Sequence, residues 1–145
     1  RKILISDANA DSKTIYSKII FCSGKIRYDL EKRLRSKNLE LKILIVSIEQ
    51  LYPFPQAEIK DILSQRDAAE YIWCQEEPKN QGPWKYIKEM FEYYLASEIL
   101  NKGNGSLTKK IHLSCISRPP RAAPDGGNYA IFEKEQMEII DAALG

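Results

Sequence analysis

The sequence has 145 residues, 43% of them hydrophobic and 29% charged, ordinary values for one soluble globular domain. Its 22 basic and 20 acidic side chains leave a formal net charge of +2, which gives no general push toward nucleic acid or membranes. No apolar run approaches the ~18–20 residues of a membrane span. The three cysteines, Cys22, Cys74 and Cys115, are odd in number and widely spaced, which fits neither a disulfide framework nor the close pairs of a zinc site. Each ends an apolar run, where a free thiol behaves as a small hydrophobe, so a reducing compartment is expected, the bacterial cytoplasm or the mitochondrial matrix.

In chain order, the sequence opens Arg1-Lys2-Ile3-Leu4, with neither Met nor a signal-peptide core, as a piece of a longer polypeptide would. Lys2–Ile5 is a short apolar run and Asp7–Thr14 a polar loop, so residues 1–15 are expected to form a linker or an edge segment. Tyr16–Cys22 has the Ile and Phe content of a buried strand. After Ser23-Gly24 the period changes: Ile26, Leu30 and Leu34 recur four apart, an amphipathic helix ending near Lys37-Asn38. Lys42–Ile48 is a second strand. Pro53 and Pro55 fix an extended turn, and Pro55 opens a helix with Ile59, Ile62 and Leu63 on its apolar face.

Ala69–Gln75 is a third strand, and Glu76–Gly82 a polar connector. From Pro83 a helix is expected through Leu100, with Trp84, Ile87, Phe91, Tyr94 and Leu95 on one side. Its aromatic surplus is the best candidate for a partner surface. Asn101–Ser106 reads as a surface loop and Lys110–Ile116 as a strand. A proline-rich stretch, Arg118–Asn128, leads to a last helix from about Glu133 to Leu144, in which Gln136, Ile139, Ile140 and Ala143 repeat at helical spacing.

Strands alternating with helices predict an α/β domain with a mostly parallel sheet covered on both faces. In such sheets ligands bind outside the carboxyl ends of the strands. Those ends are all polar: Ser23-Gly24-Lys25, Glu49-Gln50, Gln75-Glu76-Glu77 and Ser117-Arg118. Ser23 and Lys25 sit where a helix start favours an anion, although the spacing is not that of a P-loop; otherwise Ser23 is a helix cap. Arg118 and Arg121 flank Pro119-Pro120, fixed donors for a carboxylate or phosphate, or for an interdomain salt bridge.

Catalytic constellations fall short of a partner. Glu76 and Glu77 are adjacent and point apart at an extended strand end, which suits helix capping or pairing with a cation better than acid–base work. His112 is the only histidine, and Cys115, three positions on in a strand, faces away from it. No metal site is expected.

Three segments are far more specific. Cys22-Ser23-Gly24-Lys25 with Tyr28-Asp29-Leu30, Ile48-Glu49-Gln50-Leu51-Tyr52-Pro53-Phe54-Pro55, and Trp73-Cys74-Gln75-Glu76-Glu77-Pro78-Lys79-Asn80-Gln81-Gly82-Pro83-Trp84 closely resemble the last domain of the thiamine-dependent component of 2-oxoglutarate dehydrogenase. The resemblance continues through Arg118-Pro119, Ala122, Pro124 and Lys134-Glu135-Gln136, from about Ser17 to Leu144.

It implies a transketolase C-terminal-like fold, a three-layer α/β/α sandwich on a mostly parallel, about five-stranded sheet. The single domain 1–145 would then be the C-terminal part of a larger subunit that decarboxylates 2-oxoglutarate with thiamine diphosphate and magnesium. Cofactor and catalytic residues of that family lie in earlier domains, so none is assigned here. The implied partners are the other domains of the parent, its homodimer mate and, through the complex, dihydrolipoyl succinyltransferase, with no nucleic acid and no membrane.

For this domain the resemblance implies dimer support and, in some members, an effector site. Actinobacterial relatives bind acetyl-CoA partly here. Gln50 matches a contributing position, but the basic pair expected after the Pro-Phe-Pro turn is Ala57-Glu58, and Phe132 stands where relatives often carry His. The residues expected at an effector or anion site are Ser23, Lys25, Gln50 and Arg118. The equivalent domain of 2-oxoadipate dehydrogenase is the alternative parentage, since substrate choice is set elsewhere.

Overall fold

The computed structural model describes residues 2–6, 14–95, 111–119 and 129–145. Its elements in chain order are β1 (Ile3–Ile5), β2 (Thr14–Cys22), α1 (Ile26–Ser36), β3 (Ile43–Ile48), α2 (Gln56–Gln65), β4 (Arg66–Pro78), α3 (Trp84–Met90) with a π-helical turn over Phe91–Leu95, β5 (Leu113–Arg118) and α4 (Tyr129–Leu144). The five strands form one sheet in the order β1-β3-β2-β4-β5. β3, β2, β4 and β5 are mutually parallel, and the short β1 pairs antiparallel with β3, Leu4 opposite Ser47. The expected mostly parallel α/β sandwich is therefore the observed one, and the initial apolar run is its antiparallel edge.

Period-two alternation splits the strands between two cores. Ile19, Phe21, Leu44, Val46, Ile48, Tyr71 and Trp73 face one side, where Ile59 of α2 and Ile87, Phe91 and Leu95 of the α3 segment cover them. Ile20, Cys22, Ile43, Ile45, Ile72 and Cys74 face the other, under Ile26, Leu30 and Leu34 of α1 and Ile139, Ile140, Ala143 and Leu144 of α4. All six residues of β3 are buried, which is why that strand reads as a continuous apolar run rather than an alternating one.

Element ends follow local chemistry. α1 stops at Lys37 because Asn38 takes φ 54°, the left-handed conformation that asparagine tolerates, while the Leu39 N–H returns to the Leu34 carbonyl. β4 begins three residues before the expected start and continues to Pro78. The expected long helix after Pro83 is broken: regular helix ends at Met90 and a π turn follows. That turn keeps Ile87, Phe91 and Leu95 buried at four-residue spacing, with Phe91 edge-on to Phe21 at 5.0 Å between ring centroids.

The aromatic surplus of this segment is mostly internal. Phe54 packs on Tyr86, Phe91 and Tyr94, and the Tyr86 hydroxyl donates to the Leu51 carbonyl at 2.8 Å. Of the cluster, only Tyr93 is exposed, so the partner-surface reading of this helix gives way to core packing. Residues 96–100, the 101–106 loop, Arg121 and the proline-rich connector beyond Pro119 lie outside the described residues.

Candidate functional site

Because four strands run parallel, their carboxyl ends share one edge, where Gln50, Ser23–Lys25, Glu76 and Arg118 stand in sheet order β3, β2, β4, β5. α1 leaves β2 toward one face and α3 leaves β4 toward the other. The chain therefore diverges between these neighbouring strands, the switch point where α/β sheets place their crevices.

Arg118, at the end of β5, is 3% exposed, and its guanidinium is directed at protein acceptors. Nε donates to the Glu76 carbonyl at 2.7 Å, Nη2 to Gln136 Oε1 at 2.7 Å, and Nη1 to Glu135 Oε2 at 3.1 Å. The plane lies 4.0 Å from the Phe132 ring centre, so an aromatic side chain there stacks on the guanidinium. Gln136 extends the network, donating from Nε2 to Glu76 Oε1 at 2.8 Å and to Asp29 Oδ2 at 3.3 Å. Thus β4, β5, α1 and α4 are tied by one partly buried polar cluster. An incoming anion would have to displace an existing acceptor of Arg118, which makes this residue an internal brace.

A second cluster shapes the loop after β4. Gln75, 2% exposed, accepts from the Trp73 indole N–H at 2.9 Å. Its Nε2 donates to the carbonyls of Glu77, Pro78 and Gln81 at 3.2, 3.0 and 2.9 Å. Gly82 closes the loop at φ +69°, and a Cβ there would lie 2.9 Å from Glu77 Cβ. Glu76 turns inward to Gln136 while Glu77 is exposed, the expected divergence. Neither carboxylate caps α3, which starts at Pro83 without a side-chain cap.

Ser23 does not cap α1 either. Lys25 occupies that position, and Gly24, at φ +80°, makes the turn. The exposed Lys25 stands at the rim of a groove of about 560 Å³ between α1 and α4, whose lining includes Lys32, Glu76, Tyr129, Phe132, Glu133 and Met137. Gln50 is half-buried on the same edge, its Nε2 3.4 Å from the Tyr52 carbonyl. The structure therefore aligns Ser23, Lys25 and Gln50 along one edge and places Arg118 beneath it. Gln75, Gln136 and Glu135 are polar residues that sequence reading leaves unassigned. The signals for Gln75 are its place at a polar strand end and inside the Trp73–Trp84 segment, and that for Gln136 its position on the repeating face of the last helix.

Cys22 and Cys74 are buried in the α1/α4 core, and burial pushes the Cys22 thiol up to about 12 and Cys74 still further. Cys115 is half-buried against the opposite core, its thiol also raised by burial, while His112 is exposed. Among the described residues no three potential metal ligands converge, and no helix is long and apolar enough to cross a membrane.

Comparison with known families matches residues 2–144 to the model described as 2-oxoglutarate dehydrogenase C-terminal. The chain belongs to this family. It is 34% identical over 128 residues to the 2-oxoglutarate dehydrogenase E1 component of Haemophilus influenzae, covering 88% of this chain and 12% of that protein. The same component of Staphylococcus haemolyticus is 37% identical over 145 residues, 99% of this chain and 14% of the relative. The chain thus spans about one-seventh or less of these relatives' length. Among solved structures, a split-gene transketolase described as an inactive β4 tetramer superposes with a TM-score of 0.51 at 13% identity, covering 88% of this chain and 38% of that one. That likeness shows the transketolase-like fold of this C-terminal domain.

Proposed function

We propose that this domain is the C-terminal assembly and dimerisation module of a thiamine-diphosphate-dependent 2-oxoglutarate dehydrogenase, an oxidoreductase of the tricarboxylic acid cycle, and does not catalyse alone. The observation that carries this reading is the family match over residues 2–144, by a chain covering only 12–14% of E1 relatives. Thiamine diphosphate and magnesium would be held by other domains of the parent. The parent would pass a succinyl group to lipoyl arms of dihydrolipoyl succinyltransferase, and its compartment would be the bacterial cytoplasm or the mitochondrial matrix. 2-Oxoadipate dehydrogenase is the alternative parent.

The test compares the 145-residue chain with the full-length subunit for decarboxylation of 2-oxoglutarate in the presence of thiamine diphosphate and magnesium. Turnover is expected from the subunit alone. Turnover by the isolated chain would overturn the reading, and a subunit preferring 2-oxoadipate would change the parent.

A second reading is favoured by the groove beside Lys25: a regulatory site on the carboxyl edge taking the phosphates of a nucleotide or CoA. Lys25 would contact the ligand from the groove wall, Ser23 and Gln50 from the adjoining carboxyl edge outside that wall, and Arg118 would hold the floor through Gln136 and Glu76. Calorimetric titration with AMP and with acetyl-CoA tests it. Absence of heat at millimolar ligand would remove it.

A further inference from the structure

The two helices that cover one face of the sheet carry opposite charges. In α1, the cations Arg27, Lys32, Arg33 and Arg35 outnumber the carboxylates Asp29 and Glu31, for a net charge of +2. In α4, the carboxylates Glu133, Glu135, Glu138 and Asp141 outnumber the cation Lys134, for a net charge of −3. Ion pairing across this layer joins Arg33 and Lys37 to Asp141. Lys32 and Arg35 on α1 and Glu138 on α4 are exposed and enter no ion pair among the described residues.

Apolar side chains stand among these charges. Tyr129 and Met137 of α4 line the groove of about 560 Å³ between the helices, and both are exposed, as are Ile131 of α4 and Tyr28 of α1. Large apolar groups gathered in water between stripes of opposite charge have the make-up of a contact surface, apolar within and charged around.

Helix direction selects what covers it. Both helices start at the carboxyl edge and run side by side in one direction, with Asp29 beside Gln136 and Arg33 beside Asp141. A two-fold axis through the middle of the layer lays α1 of one copy antiparallel on α4 of another, and symmetry repeats the contact. Lys32, near the midpoint of α1, then faces Glu138, near the midpoint of α4, once in each half. A partner of single sign would be held by one helix and repelled by the other. Phosphate backbones and anionic lipid surfaces are such partners.

We infer that the α1/α4 face is a self-complementary docking surface whose occupant is a second copy of this domain. The inference rests on the assembly and dimerisation reading above, not on the ligand reading, and gives that assembly a place on the fold.

The chain has a closed core on each face of its sheet, as a domain that folds by itself does. The test mixes unlabelled and heavy-nitrogen-labelled 145-residue chains, treats them with a carbodiimide that joins lysines to touching carboxylates, and reads the peptides by mass spectrometry. Mixed-isotope Lys32–Glu138 peptides are expected. Sedimentation equilibrium should show a dimer that Lys32→Glu and Glu138→Lys each weaken about a hundredfold, roughly tenfold for each of two symmetric contacts. Both substitutions are at exposed side chains, so the unfolding midpoints of the variants should match that of the unaltered chain. Mixed together, the two single variants should associate again, because each reversed lysine site then meets a reversed glutamate site.

A dimer that neither substitution weakens, or a mixture of variants that stays apart, would overturn the assignment of this face. A monomeric chain beside a dimeric full-length subunit would overturn the second copy as occupant and leave the assembly reading standing. Cross-links from Lys32 to residues outside 1–145 of the subunit would then put another domain there. A monomeric full-length subunit would overturn both.

Discussion

Two glycines with similar backbones occupy very different surroundings. Gly24 and Gly82 both have positive φ, but a Cβ at Gly24 would meet nothing within 4 Å, whereas at Gly82 it would meet the Glu77 side chain at 2.9 Å. Gly24→Ala should therefore show mainly the left-handed backbone cost, about 1 kcal/mol. Gly82→Ala should cost about 2–3 kcal/mol, as steric overlap adds to the same strain. Urea denaturation of the two variants measures the difference, and equal losses would mean that Glu77 moves aside freely. Asp141 illustrates a different residue-level effect. The Arg33 guanidinium, 3.0 Å away, holds its carboxyl below the usual range, with Lys37 at 3.5 Å assisting. A depressed folded-state pKa gives stability that is complete above the usual carboxylate range and lost as pH falls through the folded value. Both partners are well exposed to solvent, so the effect is small. Asp141→Asn should flatten the fall of the urea midpoint between about pH 5 and 3; an unchanged slope would rule the pair out as a contributor.

At the scale of elements, the Arg118 cluster does what apolar packing alone does not: it fixes the start of α4 against the ends of β4 and β5. Replacing the arginine leaves the Glu135 and Glu76 acceptors without their donor in a nearly closed site. Arg118→Met is therefore expected to cost about 3–5 kcal/mol, as when one partner of a buried pair is removed. Glu135→Gln, which retains a hydrogen-bond acceptor for the guanidinium, should cost about 1 kcal/mol. Chemical denaturation distinguishes this brace from a surface ion pair, for which both losses would be small. The π turn after α3 works at the same scale, since it lets one segment bury Ile87, Phe91 and Leu95 under the sheet while Phe54 closes the aromatic cluster. That is why the aromatic-rich stretch is chiefly core.

At the scale of the molecule, the sheet carries independent apolar contacts on each face, yet β2, β3, β4 and β5 each contribute to both. Tryptophan fluorescence reports on the α2/α3 side, where Trp73 is fully buried, and thiol accessibility of Cys22 and Cys74 reports on the α1/α4 side. Because the two cores share the sheet, their urea transitions should coincide. In native buffer Cys115 should react first, since it is half-buried while the other two thiols are enclosed and pushed up by burial. Separate midpoints would show that one helical layer leaves the sheet before the other.

The sequence by itself determined the β/α alternation, the mostly parallel sheet, the polar carboxyl edge and the family, because strand and helix periods and three specific segments are local properties of the chain. It placed Ser23, Lys25, Gln50 and Arg118 at strand ends correctly. Only tertiary structure decided what those positions have as neighbours. Arg118 is enclosed because Gln136, 18 residues away, and Glu76, 42 residues away, converge on it, and no local spacing encodes that meeting. Likewise, a glutamine at the polar end of a strand carries no sign of the partners that will enclose it. Gln75 holds the 77–82 loop only once the sheet brings Trp73 and the loop carbonyls around it, since hydrogen-bond satisfaction is a property of the folded surroundings.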